Sequence, residues 1–470
     1  MIKKQPRLII VTLTLAAISL FAASSIFAQD ENSGGPTETP TVSETTTPAS
    51  ADTPEVSGEE EEAKAELNSG DTAWMLTATV LVLLMTLPGL ALFYGGLVRV
   101  SNVLSVLVHC LILAAIMTIV WAVYGYSLAA GEGSGVWDKF IGNLDNLGLK
   151  KIGEGDGNMP ESVWITFQMT FIIITPALIV GAFAERMKFS AMIIFSVIWV
   201  TFSYLPAWHM AWGEGLFHEW GVIDFAGGTV VHINAGIAGL IACMMVGKRK
   251  GLGTPAVMPH SVPFTVIGAS LLWVGWFGFN AGSAGAANGS AGFAMLTTQV
   301  AAAAAILAWM VVEYAITKKA TAVGAATGAV AGLVAITPAS GSTTINGAIV
   351  IGATSGIICY FFATYVKRRL RYDDSLDVFG VHGVGGIIGA ILTGVFIRES
   401  YMLENGIEDT GKQVLAQFGS VVVTMAWSAV VSVVALTIAR IFCGGLRVTE
   451  VQEQRGLDTT VHGEAAYTNH

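Results

Sequence analysis

The chain has 470 residues, of which 53% are hydrophobic and only 12% are charged. Soluble domains carry about a quarter charged residues, so this composition excludes an ordinary soluble protein and predicts a membrane protein. The formal net charge of −10 says little about binding partners, because many of the acidic residues lie in one stretch near the N-terminus.

Residues 1–28 have the pattern of a secretory signal peptide. Three basic residues within the first seven positions precede an apolar core from Leu8 to about Phe21, and small residues lead to Ala28. This pattern favours a cleaved signal peptide over an uncleaved first membrane helix. Residues 29–71 are rich in Pro, Thr, Ser and Glu, and such a segment cannot bury enough apolar surface to fold. We therefore predict a disordered, acidic, extracytoplasmic tail over 29–71.

From residue 72 onward, apolar runs recur at lengths that can cross a bilayer, which needs about 20 residues. They predict eleven membrane helices, near residues 73–97, 103–130, 161–183, 190–210, 226–246, 261–281, 291–316, 321–338, 345–366, 377–397 and 413–441. The predicted fold class is thus an all-α membrane protein, with one helical domain over 72–441 and a cytoplasmic tail over 442–470.

Lysine and arginine in the loops predict the orientation of these helices. They concentrate in alternate loops, from Arg99 to Arg455, whereas the opposite loops hold only Lys139, Lys150, Lys151, Arg398 and Lys412. Because basic residues stay on the cytoplasmic side, we expect a multi-pass protein of the cell inner membrane with its mature N-terminus outside and its C-terminus in the cytoplasm.

Small residues indicate how the helices pack. Gly324, Gly328 and Gly332 recur every four residues, as do Gly352 and Gly356, and this spacing lets helix backbones approach closely in lipid. The four cysteines lie in or at the end of apolar runs without C-x-x-C spacing, so they predict buried apolar packing and neither a disulfide nor a metal site.

The pattern V-H-x-x-x-G occurs twice, around His232 in predicted helix five and His382 in predicted helix ten. Each occurrence follows an aspartate, Asp224 in "DFAGGTVVH" and Asp377 in "DVFGVH". If helices one to five and six to ten are related halves, their odd number gives them opposite orientations. This is the inverted repeat of many transporters, whose sites lie near the bilayer midplane.

A histidine inside a membrane helix needs a polar partner or a cavity. Three interpretations of His232 and His382 remain open: two separate helix–helix hydrogen bonds, a polar pair inside a narrow path, or two ligands of one haem iron. A neutral pair could offer both a donor and an acceptor to a small polar guest.

Other polar and aromatic side chains surround the two histidines. Asp224 precedes helix five, where it could cap the helix or favour a nearby cation. Trp208 is expected in the aromatic belt at the membrane interface. Aromatic rings without a buried counter-charge favour cation–π attraction, and the candidates are Phe167, Phe171, Trp212, Trp276, Phe277 and Phe279, with Ser283 nearby.

Four motifs carry a resemblance to the ammonium transporter (Amt/Rh) family, in its bacterial ammonium transporter branch. They are "FQMTFIIITPALIVGAFAERMKFSA", "DFAGGTVVHINAGIAGL", "GWFGFNAGSAG" and "DDSLDVFGVHGVGGIIGAILTGVF". The resemblance covers most of residues 72–455. It implies a homotrimer of eleven-helix subunits, each with its own pore for ammonium or ammonia, and no enzymatic activity.

The resemblance also assigns roles to residues of this chain. It implies that Trp212, Ser283 and Phe171 recruit ammonium with the support of Asp224, that Phe171 and Phe279 form a gate, and that His232 and His382 line the pore. Ammonium would lose its proton and pass as ammonia, with the proton crossing separately. The alternative is a sensor that binds ammonium without conducting it.

The C-terminal segment "GLRVTEVQEQRGLDTTVHGEAAY" resembles the cytoplasmic segment of the same family. This implies control by a PII-type nitrogen-signalling protein at the cytoplasmic face. We expect no cofactor, no metal and no nucleic-acid partner.

Overall fold

The computed structural model describes residues 67–153, 157–253 and 258–467. Within these ranges the chain is helical, and two isolated bridges are the sole extended pairings. The predicted signal peptide over 1–28 lies outside the described residues, as does the acidic tail up to residue 66. The last residues of that tail, 67–71, belong to the folded part.

Among the described residues, eleven apolar helices precede the C-terminal segment, with short helical turns in some of the loops. They are α1 (Ser69–Leu97), α2 (Val100–Ala130), α3 (Glu161–Phe183), α4 (Phe189–Trp212, with the short helix Leu216–Glu219 directly after it), α5 (Gly228–Val246), α6 (Val262–Gly282), α7 (Gly289–Thr317), α8 (Ala322–Ile336), α9 (Ile345–Leu370), α10 (Phe379–Val395) and α11 (Thr410–Phe442). In the described part of the chain, nine are long and apolar enough to cross a membrane, and α8 and α10 are shorter apolar helices. The protein is a multi-pass membrane protein.

The start of α1 differs from its prediction. The sequence placed it near residue 73, but the helix begins at Ser69, because the side chain of Asn68 accepts hydrogen bonds from the N–H groups of Gly70 and Asp71 at 2.8 and 3.1 Å. Asparagine is a preferred N-cap residue. The first turn after the cap is polar, so a prediction based on apolar runs does not include it.

Helices α7, α8 and α9 pack backbone to backbone, which confirms the packing signal of the glycine repeats. A Cβ added at Gly332 would lie 2.6 Å from the carbonyl oxygen of Ala301, and one at Gly352 would lie 2.2 Å from the same oxygen. A Cβ at Gly356 would lie 2.4 Å from the carbonyl oxygen of Ala305. Only glycine allows these approaches.

A buried charge network ties together the helix ends on the predicted cytoplasmic side. Glu185, after α3, accepts from Arg99 at 3.0 Å and from Arg249 at 3.1 Å. Arg249 also pairs with Asp373 at 2.8 Å. Arg186 donates to the backbone carbonyl of Asp373 at 2.5 Å. Since these residues come from four separate loops, the network fixes the loops relative to one another.

The pKa values of the two carboxyls follow from this network. Burial alone would raise the pKa of Glu185, but Arg249 and Arg99 outweigh burial, so the pKa lies below its ordinary value. Asp373 behaves likewise, because Arg249 and Arg186 outweigh burial. A carboxyl whose pKa falls on folding stabilises the protein above its unfolded pKa, and the stabilisation is lost as pH falls through the folded pKa.

We expect Glu185→Gln to destabilise the protein at neutral pH by about 3 kcal/mol, because it leaves buried guanidinium groups short of a counter-charge. The melting temperature in detergent should also fall less steeply between about pH 5 and pH 3 than that of the unmodified protein. Glu219→Gln is the matched control, since its pair with Lys139 is half exposed and such pairs contribute little. Equal losses in both variants would contradict the prediction.

The C-terminal segment, with its short helix Glu450–Arg455, packs against the same helix ends. Glu453 accepts from the guanidinium of Arg447 at 2.7 Å and from the N–H of Lys250 at 2.7 Å. Asp458 accepts from the N–H of Ser105 in α2 at 2.8 Å. The segment is therefore attached to α2 and to the loop after α5.

Candidate functional site

Helices α5 and α10 each bring one histidine to the same point in the interior. The Nδ1 atoms of His232 and His382 lie 3.3 Å apart, and the ring centroids are 5.4 Å apart with 24° between planes. Both side chains are buried. Of the arrangements that the sequence left open, the structure places the two rings in direct contact, with one nitrogen donating and the other accepting when both rings are neutral.

Both histidines lie in π-helical first turns, Gly228–Ile233 in α5 and Phe379–Gly383 in α10. A π-helical turn is wider than an α-helical turn and is frequent at functional sites. Nothing in the local sequence predicted it.

The glycine of each V-H-x-x-x-G pattern lies where the two helices cross. A Cβ at Gly236, one turn after His232, would lie 2.2 Å from the backbone nitrogen of Gly383. A Cβ at Gly386, one turn after His382, would lie 3.2 Å from the Cβ of His232. Each glycine thus lets the opposite helix approach, which is why the same local pattern surrounds both histidines.

Each of these helices also begins at a buried aspartate. The carboxylate of Asp224 accepts from the N–H groups of residues 227, 228 and 229 at 3.0, 2.5 and 2.8 Å, and also from the hydroxyl of Thr229. The carboxylate of Asp374 accepts from the N–H groups of residues 378 and 379 at 3.1 and 2.8 Å. Each carboxylate fixes the first turn of its helix, and with it the histidine eight residues later.

The sequence matched the wrong aspartate to Asp224. Asp377 was expected to be the counterpart, but its side chain pairs with Lys367 and its backbone has φ +60°. Asp374 is the counterpart, and it precedes His382 by the same eight positions that separate Asp224 from His232. This equal spacing is a signal that the sequence contained.

Trp212, at the end of α4, is oriented by the start of α5. Its indole N–H donates to the backbone carbonyl of Asp224 at 2.8 Å. Trp208, expected at the membrane interface, is instead 2% exposed, donates to Gln168 at 3.0 Å and packs against Trp212 with ring centroids 5.7 Å apart. The interface prediction for Trp208 was wrong because Gln168 of α3 supplies a buried partner for its N–H.

Phe171 of α3 and Phe279 of α6 stack face to face. Their ring centroids are 4.2 Å apart with 23° between planes, and both side chains are fully buried. Ser283, one turn after Phe279, is half-buried and its hydroxyl donates to the carbonyl of Phe279 at 2.8 Å. Since that bond uses the only hydroxyl hydrogen, the Ser283 oxygen remains an acceptor for an N–H donor.

The predicted site residues form a continuous row of rings between two cavities. A cavity of about 960 Å³ touches Trp212 at one end, and we call it the outer cavity after the predicted orientation. Successive ring centroids then lie 6.1 Å (Trp212 to Phe171), 4.2 Å (Phe171 to Phe279), 5.9 Å (Phe279 to His232) and 5.4 Å (His232 to His382) apart. His382 lines the inner cavity, of about 210 Å³.

The chemistry of this row is neutral and largely apolar. Its members are one tryptophan, two phenylalanines and two histidines, without a carboxylate or an ammonium group among them. Nε2 of His232 is buried and has no hydrogen-bond partner among the described residues. A buried polar atom without a partner costs free energy, so this nitrogen is suited to a small polar guest.

The direct contact between the rings argues against the haem alternative. Two axial histidines bind iron from opposite faces of a macrocycle, which would have to lie between the rings. Here the two Nδ1 atoms are at hydrogen-bond distance from each other.

Trp276, one of the cation–π candidates of the sequence analysis, lies against the histidine pair. Its ring stacks on His232 with centroids 5.4 Å apart and 23° between planes, and its N–H donates to Thr337 at 2.9 Å. It precedes Phe279 by three residues on α6, a spacing that places both on one helix face. This spacing could have assigned Trp276 to the row.

Residues 73–467 match the Ammonium Transporter Family. The chain belongs to the ammonium transporter family. The resemblance inferred from its four motifs is therefore confirmed, and the bacterial relatives below agree with it.

Two relatives are bacterial proteins named ammonium transporters. The one from Aquifex aeolicus is 46% identical over 86% of this chain and 95% of its own length, and the one from Bacillus subtilis is 44% identical over 85% and 99%. These names point to transport rather than to enzymatic catalysis.

Two solved structures share the fold. Mep2 of Saccharomyces cerevisiae has a TM-score of 0.74 and 35% identity, covering 82% of this chain and 88% of Mep2. A structure titled as a sensor Amt protein has a TM-score of 0.78 and 31% identity, covering 83% and 98%.

Proposed function

We propose that this ammonium transporter family member recruits ammonium at Trp212, Phe171 and Ser283, removes a proton, and passes ammonia along His232 and His382. The observation that carries this proposal is the unbroken row of rings that joins the outer cavity to the inner cavity and ends in the histidine pair.

Recruitment uses the faces of aromatic rings and one oxygen. The rings of Trp212 and Phe171 attract a cation through their π-systems, and the Ser283 oxygen accepts one N–H bond. Asp224 contributes indirectly: its carboxylate holds the start of α5, and its carbonyl orients the Trp212 indole.

Selectivity follows from desolvation. Ammonium and potassium have similar size and charge, but only ammonium can lose a proton. Beyond the stacked rings of Phe171 and Phe279 the path is buried and apolar, so an ion would be costly there. Neutral ammonia can pass and hydrogen-bond to the histidine pair, whereas potassium cannot become neutral. The proton crosses separately, along the histidine pair or a hydrated side path.

The proposed function also implies a specific arrangement of the helices in the membrane. We propose that α8 and α10 also cross the membrane, so that eleven helices do, and that α1–α5 and α6–α10 form an inverted repeat. The repeat is supported by the equal spacing of Asp224–His232 and Asp374–His382. It is also supported by the close approaches at Gly236 and Gly386, each of which contacts the opposite helix. With eleven crossings, the mature N-terminus lies outside and the C-terminus in the cytoplasm of an inner-membrane homotrimer.

We propose that the chain consists of a signal peptide over 1–28, an acidic tail that ends where the folded part begins near Asn68, a helical domain up to residue 441 and a regulatory tail over 442–470. The tail is suited to control by a PII-type protein, because Glu453 and Asp458 attach it to the loop after α5 and to α2. The likeness to a sensor Amt structure is compatible with a signalling partner, but the row of rings favours conduction over sensing alone.

The decisive experiment is an ammonium pulse on proteoliposomes adsorbed to a solid-supported membrane. We expect a current with ammonium and none with potassium. Ammonium binding without any current would favour the sensor alternative.

Phe171→Ala and Trp212→Ala are each expected to lower the ammonium-evoked current about tenfold, because each removes a ring face worth about 1–2 kcal/mol to a partly desolvated cation. The half-saturating ammonium concentration should rise most for Trp212→Ala. Trp137→Ala is the control, since this tryptophan is exposed on the loop after α2. Unchanged currents in both site variants would remove the cation–π argument.

A further inference from the structure

His209, one turn before Trp212 on α4, touches two carbonyl oxygens with its two ring nitrogens. Nδ1 lies 2.8 Å from the carbonyl oxygen of Ala129, at the end of α2, and Nε2 lies 2.6 Å from that of Asp138, in the following loop. The side chain is fully buried. The ring thus joins α4, the end of α2 and the loop between α2 and α3.

Only the protonated ring can satisfy both contacts. A carbonyl oxygen accepts and never donates, and a neutral imidazole has one N–H, whereas the imidazolium has two. In the neutral ring, one nitrogen lone pair would face a carbonyl oxygen at hydrogen-bond distance. That carbonyl would also lose its donor in a buried place, which costs free energy.

His209 is connected to Trp212 of the recruitment site through the end of α4 and the two glycines that follow it. The backbone carbonyl of His209 accepts from the N–H groups of Gly213 and Gly215 at 2.9 and 3.2 Å. A Cβ at Gly213 would lie 2.6 Å from Nδ1 of His209 and 2.7 Å from the carbonyl oxygen of Ala129. The last turn of α4, which carries Trp212, is therefore packed directly on the imidazole ring.

We propose that His209 is a positioning residue, protonated on both nitrogens, which holds the loop between α2 and α3 against α4. This contact makes the recruitment of ammonium at Trp212 depend on the external pH. This inference rests on the proposed function.

The titratable groups nearest to His209 along the chain, on the loop after Ala129 and after Trp212, are exposed, whereas Tyr126 of α2 is buried and contacts Glu161. The carboxylate of Asp138 accepts from the N–H of Gly133, and Lys139 pairs with Glu219 at 2.7 Å. The exposed groups are Glu132, Asp138 and Lys139 on the loop and Glu214, His218 and Glu219 after α4, and α2 also carries His109 and Cys110, which are buried. Among the exposed groups, His218 is the other histidine, so it is the group that a control must remove.

The direction of the effect follows from the two carbonyls. As the external pH rises, His209 loses its second proton, one carbonyl loses its donor, and the last turn of α4 loosens. The half-saturating ammonium concentration should therefore rise about five-fold when the external pH is raised from about 5 to about 8. The maximal current is a less specific readout, because the proton gradient changes with it.

In His209→Gln, one amide group replaces the two ring nitrogens and cannot take over both of their contacts, so the half-saturating ammonium concentration should be high. Because the amide does not titrate, that concentration should also be nearly independent of pH. His218→Gln should keep the profile of the unmodified protein. A profile for His209→Gln that parallels the unmodified protein, or a flat profile in the unmodified protein, would overturn the proposal.

A second measurement does not depend on transport or on the variant folding. Hydrogen exchange of residues 131–142 in the unmodified protein, corrected for intrinsic rates, should speed up as pH rises, because the loop is released. Protection that does not change with pH would contradict the proposed role of His209 in holding this loop. Absence of any ammonium current in the unmodified protein would instead contradict the proposed function, and the exchange measurement would still decide the role of His209.

Discussion

Replacement of both His232 and His382 by alanine is expected to reduce selective ammonium conduction by about a hundredfold, in a protein that still folds and assembles. The two imidazoles are the polar groups between the stacked phenylalanines and the inner cavity. Without them, ammonia crosses the row with no hydrogen-bond partner, and each lost bond is worth about 1–3 kcal/mol. Each single variant should lose conduction or selectivity for ammonium over potassium.

Electrode currents with ammonium and with potassium measure this effect in reconstituted membranes. His109→Ala is the matched control, since His109 is also a buried histidine, one ring nitrogen of which has no hydrogen-bond partner within the described ranges, but it stacks on Phe189 away from the row. It should conduct like the unmodified protein. Full uptake by the double variant, with potassium still rejected, would contradict the assigned role of the histidine pair.

Gly236→Ala is expected to disrupt the contact between His232 and His382 without changing either histidine. The added Cβ would lie 2.2 Å from the backbone nitrogen of Gly383, so α5 and α10 must move apart, and the 3.3 Å contact between the histidine rings would be lost. Such overpacking costs about 1–3 kcal/mol. We expect a lower melting temperature and a loss of ammonium current of about tenfold or more.

Gly292→Ala tests whether this loss is specific to the helix crossing. Gly292 lies within α7, and a Cβ there would meet no atom within 4 Å. Alanine is favoured over glycine in a helix by about 1 kcal/mol, so this variant should conduct normally and melt no lower. A Gly236→Ala protein with normal currents and a normal melting temperature would mean that the close crossing of α5 and α10 is not required.

The helices and the candidate residues could be predicted from the sequence because both depend on local information. In lipid, a segment must satisfy its own backbone hydrogen bonds, so apolar length alone indicates a helix. The predicted runs near 73–97 and 413–441 accordingly recur as α1 and α11 within a few residues. The repeated V-H-x-x-x-G pattern likewise identified His232 and His382 without any coordinates.

The errors arose where a side chain finds its partner on a distant segment. Trp208 has the composition of an interfacial residue, but Gln168, 40 residues earlier, gives its N–H a buried acceptor. Asp377 stands nearer to His382 than Asp374 does, yet it pairs with Lys367, and Asp374 holds the start of α10. Nearness to the histidine favoured Asp377, whereas the equal eight-residue spacing favours Asp374.

By itself, the sequence determined the membrane class, the family and the residues that line the candidate path. Only the tertiary structure decided that two histidines 150 positions apart share one hydrogen bond, that both lie in π-helical turns, and that Trp276 stacks on one of them. The physical reason is that helix formation is satisfied within a segment, whereas these contacts depend on how α5, α6 and α10 cross. That crossing is set by close backbone approaches, at Gly236 and Gly386, between helices far apart in the chain.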